Sequence, residues 1–193
     1  MTKKIEFQKF FSDDDFYLLR KHIKKIYDQA SFYIKNSKKK LNILEIGPSA
    51  TCWFEGLETN WIMENAKDLG HSYVTLDVVG QVDQIGSIED CSTFFSNETF
   101  DVVIALSVLE HVENIFKASE EITRIVKRGG KVFLETPFLW RIHGPVPDYW
   151  RISEYAYTSM FSKNFNIDID TFPENEFGKN SYPLSYNVIL DKL

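Results

Sequence analysis

Two residues in the first half of the chain have the types expected of a nucleoside-binding site. Gly47 follows the apolar run 41–46, and a glycine there lets a ligand approach the backbone because it has no side chain. Asp77 follows a second apolar run, 72–76, where a carboxylate can accept hydrogen bonds from both hydroxyls of a ribose. Their separation of 30 residues disfavours a dinucleotide site, which requires G-x-G-x-x-G and an acid about 20 residues on. The pair therefore predicts a nucleoside cofactor of another type.

Two histidines could move a proton near neutral pH. His111 lies near the end of the mostly apolar segment 100–112. His143 lies in the segment 137–151, which is rich in arginine and aromatic residues. We expect this segment to form one wall of an acceptor pocket, with His143 as the first candidate proton acceptor, ahead of His111. Its candidate substrate contacts are Trp140, Arg141, Asp148, Tyr149 and Arg151. The alternative is a surface loop braced by prolines, with aromatic anchors.

Apolar runs that alternate with helical patterns position these residues. Strands are predicted at 41–46, 72–76, 81–85, 100–106 and 131–135, and helices at 12–33, 60–69, 115–127 and 153–161. Two further strands, 165–169 and 186–190, alternate apolar and polar residues, so we expect them to be half-exposed and paired antiparallel. The predicted fold class is α/β, a Rossmann-like doubly wound and mostly parallel sheet of about seven strands with helices on both faces and an antiparallel last strand. Ligands in such sheets bind beyond the carboxyl ends of the strands.

Length and composition favour one globular domain. The 193 residues are 44% hydrophobic and 26% charged, values that suit a single buried core. We divide the domain into an N-terminal helical segment (1–40), a cofactor-binding core (41–136) and a substrate loop with the last helix and two strands (137–193). No pattern in the sequence predicts an oligomeric state.

Charge and cysteine content narrow the range of partners and cofactors to expect. The net charge of −6 disfavours binding to a phosphate backbone, so a small-molecule acceptor is favoured over nucleic acid. Cys52 and Cys91 lack C-x-x-C spacing, so neither a zinc knuckle nor any other metal site is expected. The longest apolar run, 102–109, is too short to insert in a bilayer. The N-terminus has no apolar signal core, so a cytoplasmic location is expected.

Four segments, taken in order, resemble the class I S-adenosylmethionine-dependent methyltransferases, particularly the ubiquinone-biosynthesis-like group known as type 11. Leu44-Glu45-Ile46-Gly47 is similar to the first motif and Thr75-Leu76-Asp77 to the second. The segment FDVVIALSVLEHV at 100–112 is similar to the fourth-strand motif, and IVKRGGK at 125–131 to the following helix-to-strand turn. The resemblance implies S-adenosylmethionine as the cofactor.

The resemblance also implies a set of cofactor contacts. In this chain they would be Glu45, Gly47 and Ser49 at the methionine end, Asp77 and Val78 at the ribose, Ser87 and Ile88 at the adenine, and Ser107 at the pocket floor. Two departures affect this set: Pro48-Ser49 replaces the family's second glycine, and Ser87 stands where an acid is usual. Loops similar to 137–151 occur in family members associated with cell-surface sugar pathways.

The expected function is methyl transfer to oxygen or nitrogen of a small polar acceptor, such as a sugar or a cell-surface glycan precursor. One alternative is a nicotinamide-dependent Rossmann oxidoreductase, which the missing glycines disfavour. The other is a non-catalytic protein that binds the cofactor, or nothing, and acts as an interaction module.

Overall fold

The computed structural model describes residues 13–48, 60–172 and 183–193. Within these ranges, seven strands and four α-helices alternate along most of the chain. The elements are α1 (Asp13–Lys35), β1 (Asn42–Ile46), α2 (Asn60–Asp68), β2 (Ser72–Asp77), β3 (Gln84–Ile85), β4 (Phe100–Leu106), α3 (Ile115–Ile125), β5 (Val126–Pro137), α4 (Glu154–Phe161), β6 (Phe165–Phe172) and β7 (Ser185–Lys192). No helix among the described residues is long and apolar enough to span a membrane.

The strands form one sheet in the order β3-β2-β1-β4-β5-β7-β6. The pairs from β3 to β5 are parallel, whereas β7 runs antiparallel to both β5 and β6. The strand order reverses between β1 and β4, so the carboxyl ends of these neighbours flank a crevice of the kind where ligands bind in α/β folds. The predicted Rossmann-like fold class, with its antiparallel last strand, is confirmed.

Two apolar clusters cover the two faces of the sheet. On one face Val103 of β4 belongs to a cluster with Ile122 of α3, and on the other face Ile104 belongs to a cluster with Ile26 of α1. All seven residues of β4 are buried, which explains why six of them are apolar. Burial on both faces also reaches β7, because α1 packs against β5 and β7. The expectation that β7 would be half-exposed is therefore wrong.

The junction between α3 and β5 differs from the sequence prediction. The helix ends at Ile125 instead of 127, and β5 begins at once, with Val126 paired to Phe100. The register then shifts so that Lys131 pairs with Val102. Val126 is fully buried, so strand pairing and core packing end the helix before the two glycines.

The third strand is shorter than predicted because side chains replace part of its ladder. The Asp83 Oδ2 atom accepts hydrogen bonds from both the backbone N–H and the hydroxyl of Thr75, each at 2.9 Å. The Asp83 N–H donates in turn to Thr75 Oγ1 at 2.9 Å. Regular pairing therefore begins only at Gln84.

Candidate functional site

The turn after β1 requires glycine. Gly47 has φ of +68°, a region that favours glycine, and its N–H donates to the carbonyl oxygen of Leu76 at 2.8 Å. A Cβ atom at this position would lie 2.5 Å from Cγ2 of Val108. The missing side chain therefore keeps the backbone of β1 close to the segment that follows β4.

A buried carboxyl lies just before this glycine. Glu45 is 5% exposed, and the hydroxyl of Tyr73 donates to its Oε2 atom at 2.7 Å. Burial, only partly opposed by this hydrogen bond, raises the pKa of Glu45 to about 7. A cationic group placed nearby would favour the ionised carboxylate, so Glu45 suits contact with an ammonium group.

A second carboxyl ends β2. Asp77 is half-buried, its carbonyl oxygen accepts the N–H of Gly86 at 2.9 Å, and its Oδ1 atom accepts the N–H of Val79 at 3.3 Å. The long Val79 hydrogen bond is weak, so a stronger donor such as a ribose hydroxyl could take its place. The neighbouring Val78 side chain is exposed.

The predicted adenine contacts lie in a short 3₁₀ turn after β3. The Ser87 hydroxyl caps the turn Ile88–Asp90: its oxygen accepts the N–H of Glu89 at 3.1 Å. The same hydroxyl lies 3.2 Å from Oε2 of Glu89, to which it can donate. Ile88 is buried in the core. These two contacts stay predictions, as does that of Ser49, which lies outside the described residues.

The ends of β4 and β5 are joined through Ser107 and Glu135. The hydroxyl of Ser107 donates to Glu135 Oε2 at 2.7 Å, and its N–H donates to the Glu135 carbonyl oxygen at 2.9 Å. Ser107 has φ of +53°, an uncommon value for a residue other than glycine and a frequent mark of functional sites. Burial, and next the charge of Glu110, raise the pKa of Glu135 to about 8. Sequence reasoning missed Glu135, although an acid inside the apolar run 132–136 was a usable signal.

The two predicted histidines meet at one buried carboxyl beyond β4. Glu110 is fully buried, and its Oε1 atom lies 3.6 Å from Nε2 of His143 and 3.7 Å from Nε2 of His111. The two imidazole rings are edge-to-face, with centroids 5.1 Å apart. We name Glu110, His111 and His143 the histidine–glutamate cluster. It brings together residues from two segments that the sequence could only consider separately.

The ion pair between Asp148 and Arg151 holds His143 in place. Asp148 has a fully buried side chain, its Oδ2 atom lies 3.1 Å from Nδ1 of His143, and the same atom accepts the His143 backbone N–H at 3.0 Å. Arg151 donates to both Asp148 oxygens, at 2.5 and 2.8 Å. Burial would raise the pKa of Asp148, but Arg151 outweighs it and holds this pKa below its usual value. Burial would likewise lower the pKa of His143, but the nearby carboxyls of Glu110 and Asp148 outweigh it and the net shift is upward.

Arg151 also binds the loop's own backbone. Its remaining N–H groups donate to the carbonyl oxygens of Trp140, Arg141 and Trp150. All five donors of the guanidinium thus have partners inside the loop. In the structure, Arg151 and Asp148 bond within the loop and Asp148 contacts His143. Contact of these two residues with an acceptor stays a prediction.

The other loop residues divide into anchors and surface groups. Trp150 packs against the core and its Nε1–H donates to the carbonyl oxygen of Val112 at 2.8 Å, and the half-buried Trp140 packs against the core on the α1 face of the sheet. Tyr149 donates its backbone N–H to the Glu110 carbonyl oxygen at 2.7 Å while its side chain stays 49% exposed. Arg141 is half-buried. Contact of Tyr149, Arg141 and Trp140 with an acceptor stays a prediction.

Comparison with known proteins gives one family match and several similar folds. Residues 56–134 match the family model of a methyltransferase domain. The fold resembles that of a SAM-dependent methyltransferase from Archaeoglobus fulgidus, with a TM-score of 0.61 at 14% identity over 88% of this chain and 94% of that chain. It also resembles an S-adenosylmethionine-dependent methyltransferase from Mesorhizobium loti, with a TM-score of 0.54 at 12% identity over 79% of this chain and 91% of that chain.

A third structure extends the likeness to a longer protein. The CurJ carbon methyltransferase matches with a TM-score of 0.57 at 17% identity, over 80% of this chain and 49% of that chain. The chain thus spans about half the length of this relative. No curated protein matches the chain in sequence. At such identities, the structural likeness establishes the shared fold.

Proposed function

We propose that this chain is a class I S-adenosylmethionine-dependent methyltransferase that uses S-adenosylmethionine as its cofactor. The methyl group would be transferred to oxygen or nitrogen of a small polar acceptor. A sugar or a glycan precursor is the acceptor class that we favour. The observation that carries the proposal is the histidine–glutamate cluster, which lies beyond β4 on the same side as Gly47 and Asp77.

The residues at the strand ends fit the cofactor. Glu45, whose burial disfavours its charged form, would be stabilised by the ammonium of a methionine group. Asp77 offers a carboxylate for the ribose hydroxyls, and the side-chain-free face of Gly47 gives the ligand access to the backbone. Ser107 would form the floor between them.

The acceptor would lie against the loop 137–151. Methyl transfer from a sulfonium is an in-line displacement, so alignment of the acceptor supplies much of the rate. A neutral hydroxyl also has to lose a proton, and His143, followed by His111, is the residue to test for that role. Arg141 and the exposed ring of Tyr149 supply a charge and a flat surface that suit a polar, hydroxylated ligand.

Two features of the chain bear on the alternatives. A nicotinamide-dependent reaction is disfavoured because the turn at Gly47 lacks the second and third glycines of the dinucleotide motif. A purely structural module is disfavoured because the buried carboxyl of Glu110 and two histidines meet beyond β4, and clusters of titratable groups of this kind are frequent at functional sites. We further propose a single domain and a cytoplasmic location.

Co-purified ligand and turnover test the proposal together. Mass spectrometry of small molecules released from the purified chain should detect S-adenosylmethionine or its demethylated product, S-adenosylhomocysteine. With a panel of sugar acceptors, His143→Ala should lower turnover by about 10²–10⁴ while cofactor affinity stays near the parental value. Tight cofactor binding without turnover of any acceptor in a broad panel would favour the non-catalytic alternative.

A further inference from the structure

We propose that the histidine–glutamate cluster is a binding site for one divalent metal ion of the zinc class. The ligands are Nε2 of His111, Nε2 of His143 and a carboxylate oxygen of Glu110, which all lie within 4.8 Å of one another. The cysteine pattern gave no reason to expect a metal, and the site becomes visible only when the two segments are brought together.

The buried carboxyl group of Glu110 favours a cation at this site. Its side chain is fully buried, and neither of its oxygens accepts a hydrogen bond from the described residues. One oxygen of the buried Glu135 is in the same state. Burying a carboxylate without compensation is costly, and a cation between Glu110 and the histidines would remove that cost.

The two histidines are oriented as metal ligands usually are. Nδ1 of His111 lies 2.9 Å from the carbonyl oxygen of Pro147, to which it can only donate. Nδ1 of His143 lies 3.1 Å from Oδ2 of Asp148, a carboxylate that favours a donor there. Protons on both Nδ1 atoms leave both Nε2 lone pairs for a metal. A carboxylate or carbonyl behind each ligand histidine is the usual outer arrangement of metal sites.

The distances between the proposed ligand atoms suit a zinc ion. The two Nε2 atoms lie 3.6 and 3.7 Å from Glu110 Oε1, too far for a hydrogen bond. Zinc bonds of about 2.0–2.2 Å place two ligand atoms about 3.4 Å apart at a tetrahedral angle and about 2.9 Å apart at a right angle. The observed spacing is closer to the tetrahedral value, so small side-chain shifts would complete the site.

Three protein ligands leave one position of a tetrahedral ion open. This inference deepens the proposed function and rests on it in one respect, the placement of the acceptor beside His143. An ion there would bind an acceptor oxygen and lower the pKa of its hydroxyl group. The histidines would then act on the acceptor through the ion, because their Nε2 atoms are occupied.

Metal titration of the untagged, chelator-treated chain tests the site. Calorimetry should show Zn²⁺ binding at one ion per chain, with much weaker binding of Mg²⁺, which prefers oxygen ligands. His111→Ala and His143→Ala should each weaken Zn²⁺ binding by at least about 100-fold. Asp148→Asn, which alters the partner of a ligand and not a ligand itself, should weaken Zn²⁺ binding by about 10–100-fold. His22→Gln removes a buried histidine of another region and should leave Zn²⁺ affinity unchanged.

A second measurement guards against variants that fail to fold. Co²⁺ added to the parent chain should give the strong visible absorption of a four-coordinate ion. Absence of Zn²⁺ binding, a weak six-coordinate Co²⁺ spectrum, or parental Zn²⁺ affinity in folded His111→Ala and His143→Ala would each overturn the inference. S-adenosylmethionine is titrated in parallel: cofactor binding without Zn²⁺ binding refutes only the metal site. Zn²⁺ binding without cofactor binding refutes only the proposed function.

Discussion

Replacing Gly47 by alanine should destabilise the chain by about 2–5 kcal/mol. The residue has φ of +68°, where an L side chain costs about 1–2 kcal/mol. Its new Cβ would lie 2.5 Å from Cγ2 of Val108, and overpacking of this kind costs about 1–3 kcal/mol. Urea denaturation followed by circular dichroism measures the sum as a lower unfolding midpoint at unchanged slope.

The two contributions to this loss can be separated with a second change. Val108→Ala removes the methyl group that clashes, so in the double variant the overpacking cost disappears and only the backbone strain stays. A double-mutant cycle should therefore give a favourable coupling of about 1–3 kcal/mol between the two changes. Parental stability of Gly47→Ala, or a coupling near zero, would refute the account of this turn.

Three further changes test other parts of the structure. Asp77→Ala should weaken S-adenosylmethionine binding at least about tenfold in calorimetry, since each charge-assisted ribose hydrogen bond contributes about 1.5–3 kcal/mol. The melting temperature should stay close to the parental value. Asp77→Asn is the matched control, and parental affinity in both variants would contradict the ribose assignment. Burial, only partly opposed by Asp170, lowers the pKa of His22 from 6.5 to about 4. The imidazole of the unfolded chain therefore takes up its proton at a higher pH than that of the folded chain, so up to about 3 kcal/mol of stability should be lost as pH falls from 6.5 to 4. In urea titrations, His22→Gln should flatten this pH dependence of the unfolding free energy. An equal pH dependence in both proteins would contradict the burial of a neutral His22. Arg151→Ala should lower the unfolding free energy by about 3 kcal/mol because it leaves the buried side chain of Asp148 without its arginine partner. Arg151→Lys should restore part of this unfolding free energy. Equal melting temperatures in the parent chain and both variants would contradict a stabilising ion pair between Asp148 and Arg151.

Local patterns were enough to predict the sheet. The predicted bounds of β4, 100–106, agree with the structure because all seven positions are buried and six of them are apolar. The positions of Gly47, directly after β1, and Asp77, at the end of β2, agree with the sequence prediction. Their place at the crevice depends only on strand order, which alternation with helices already indicates.

Long-range packing accounts for what the sequence could not predict. The burial of β7 depends on α1, whose His22 carbonyl oxygen accepts a hydrogen bond from Asn187 at 2.8 Å. The histidine–glutamate cluster depends on the path of the loop 137–151, and that path is set by the backbone contacts of Arg151. Neither arrangement leaves a periodic signal, so the two histidines could be named but not brought together.

We propose that the carboxyl ends of β1, β2 and β4 hold S-adenosylmethionine. This binding is measured by calorimetric titration of the chain with S-adenosylmethionine and S-adenosylhomocysteine. Both ligands should bind at one shared site, and bound S-adenosylhomocysteine should block S-adenosylmethionine. If neither ligand gave heat at millimolar concentration while circular dichroism showed a folded chain, the claim would be contradicted.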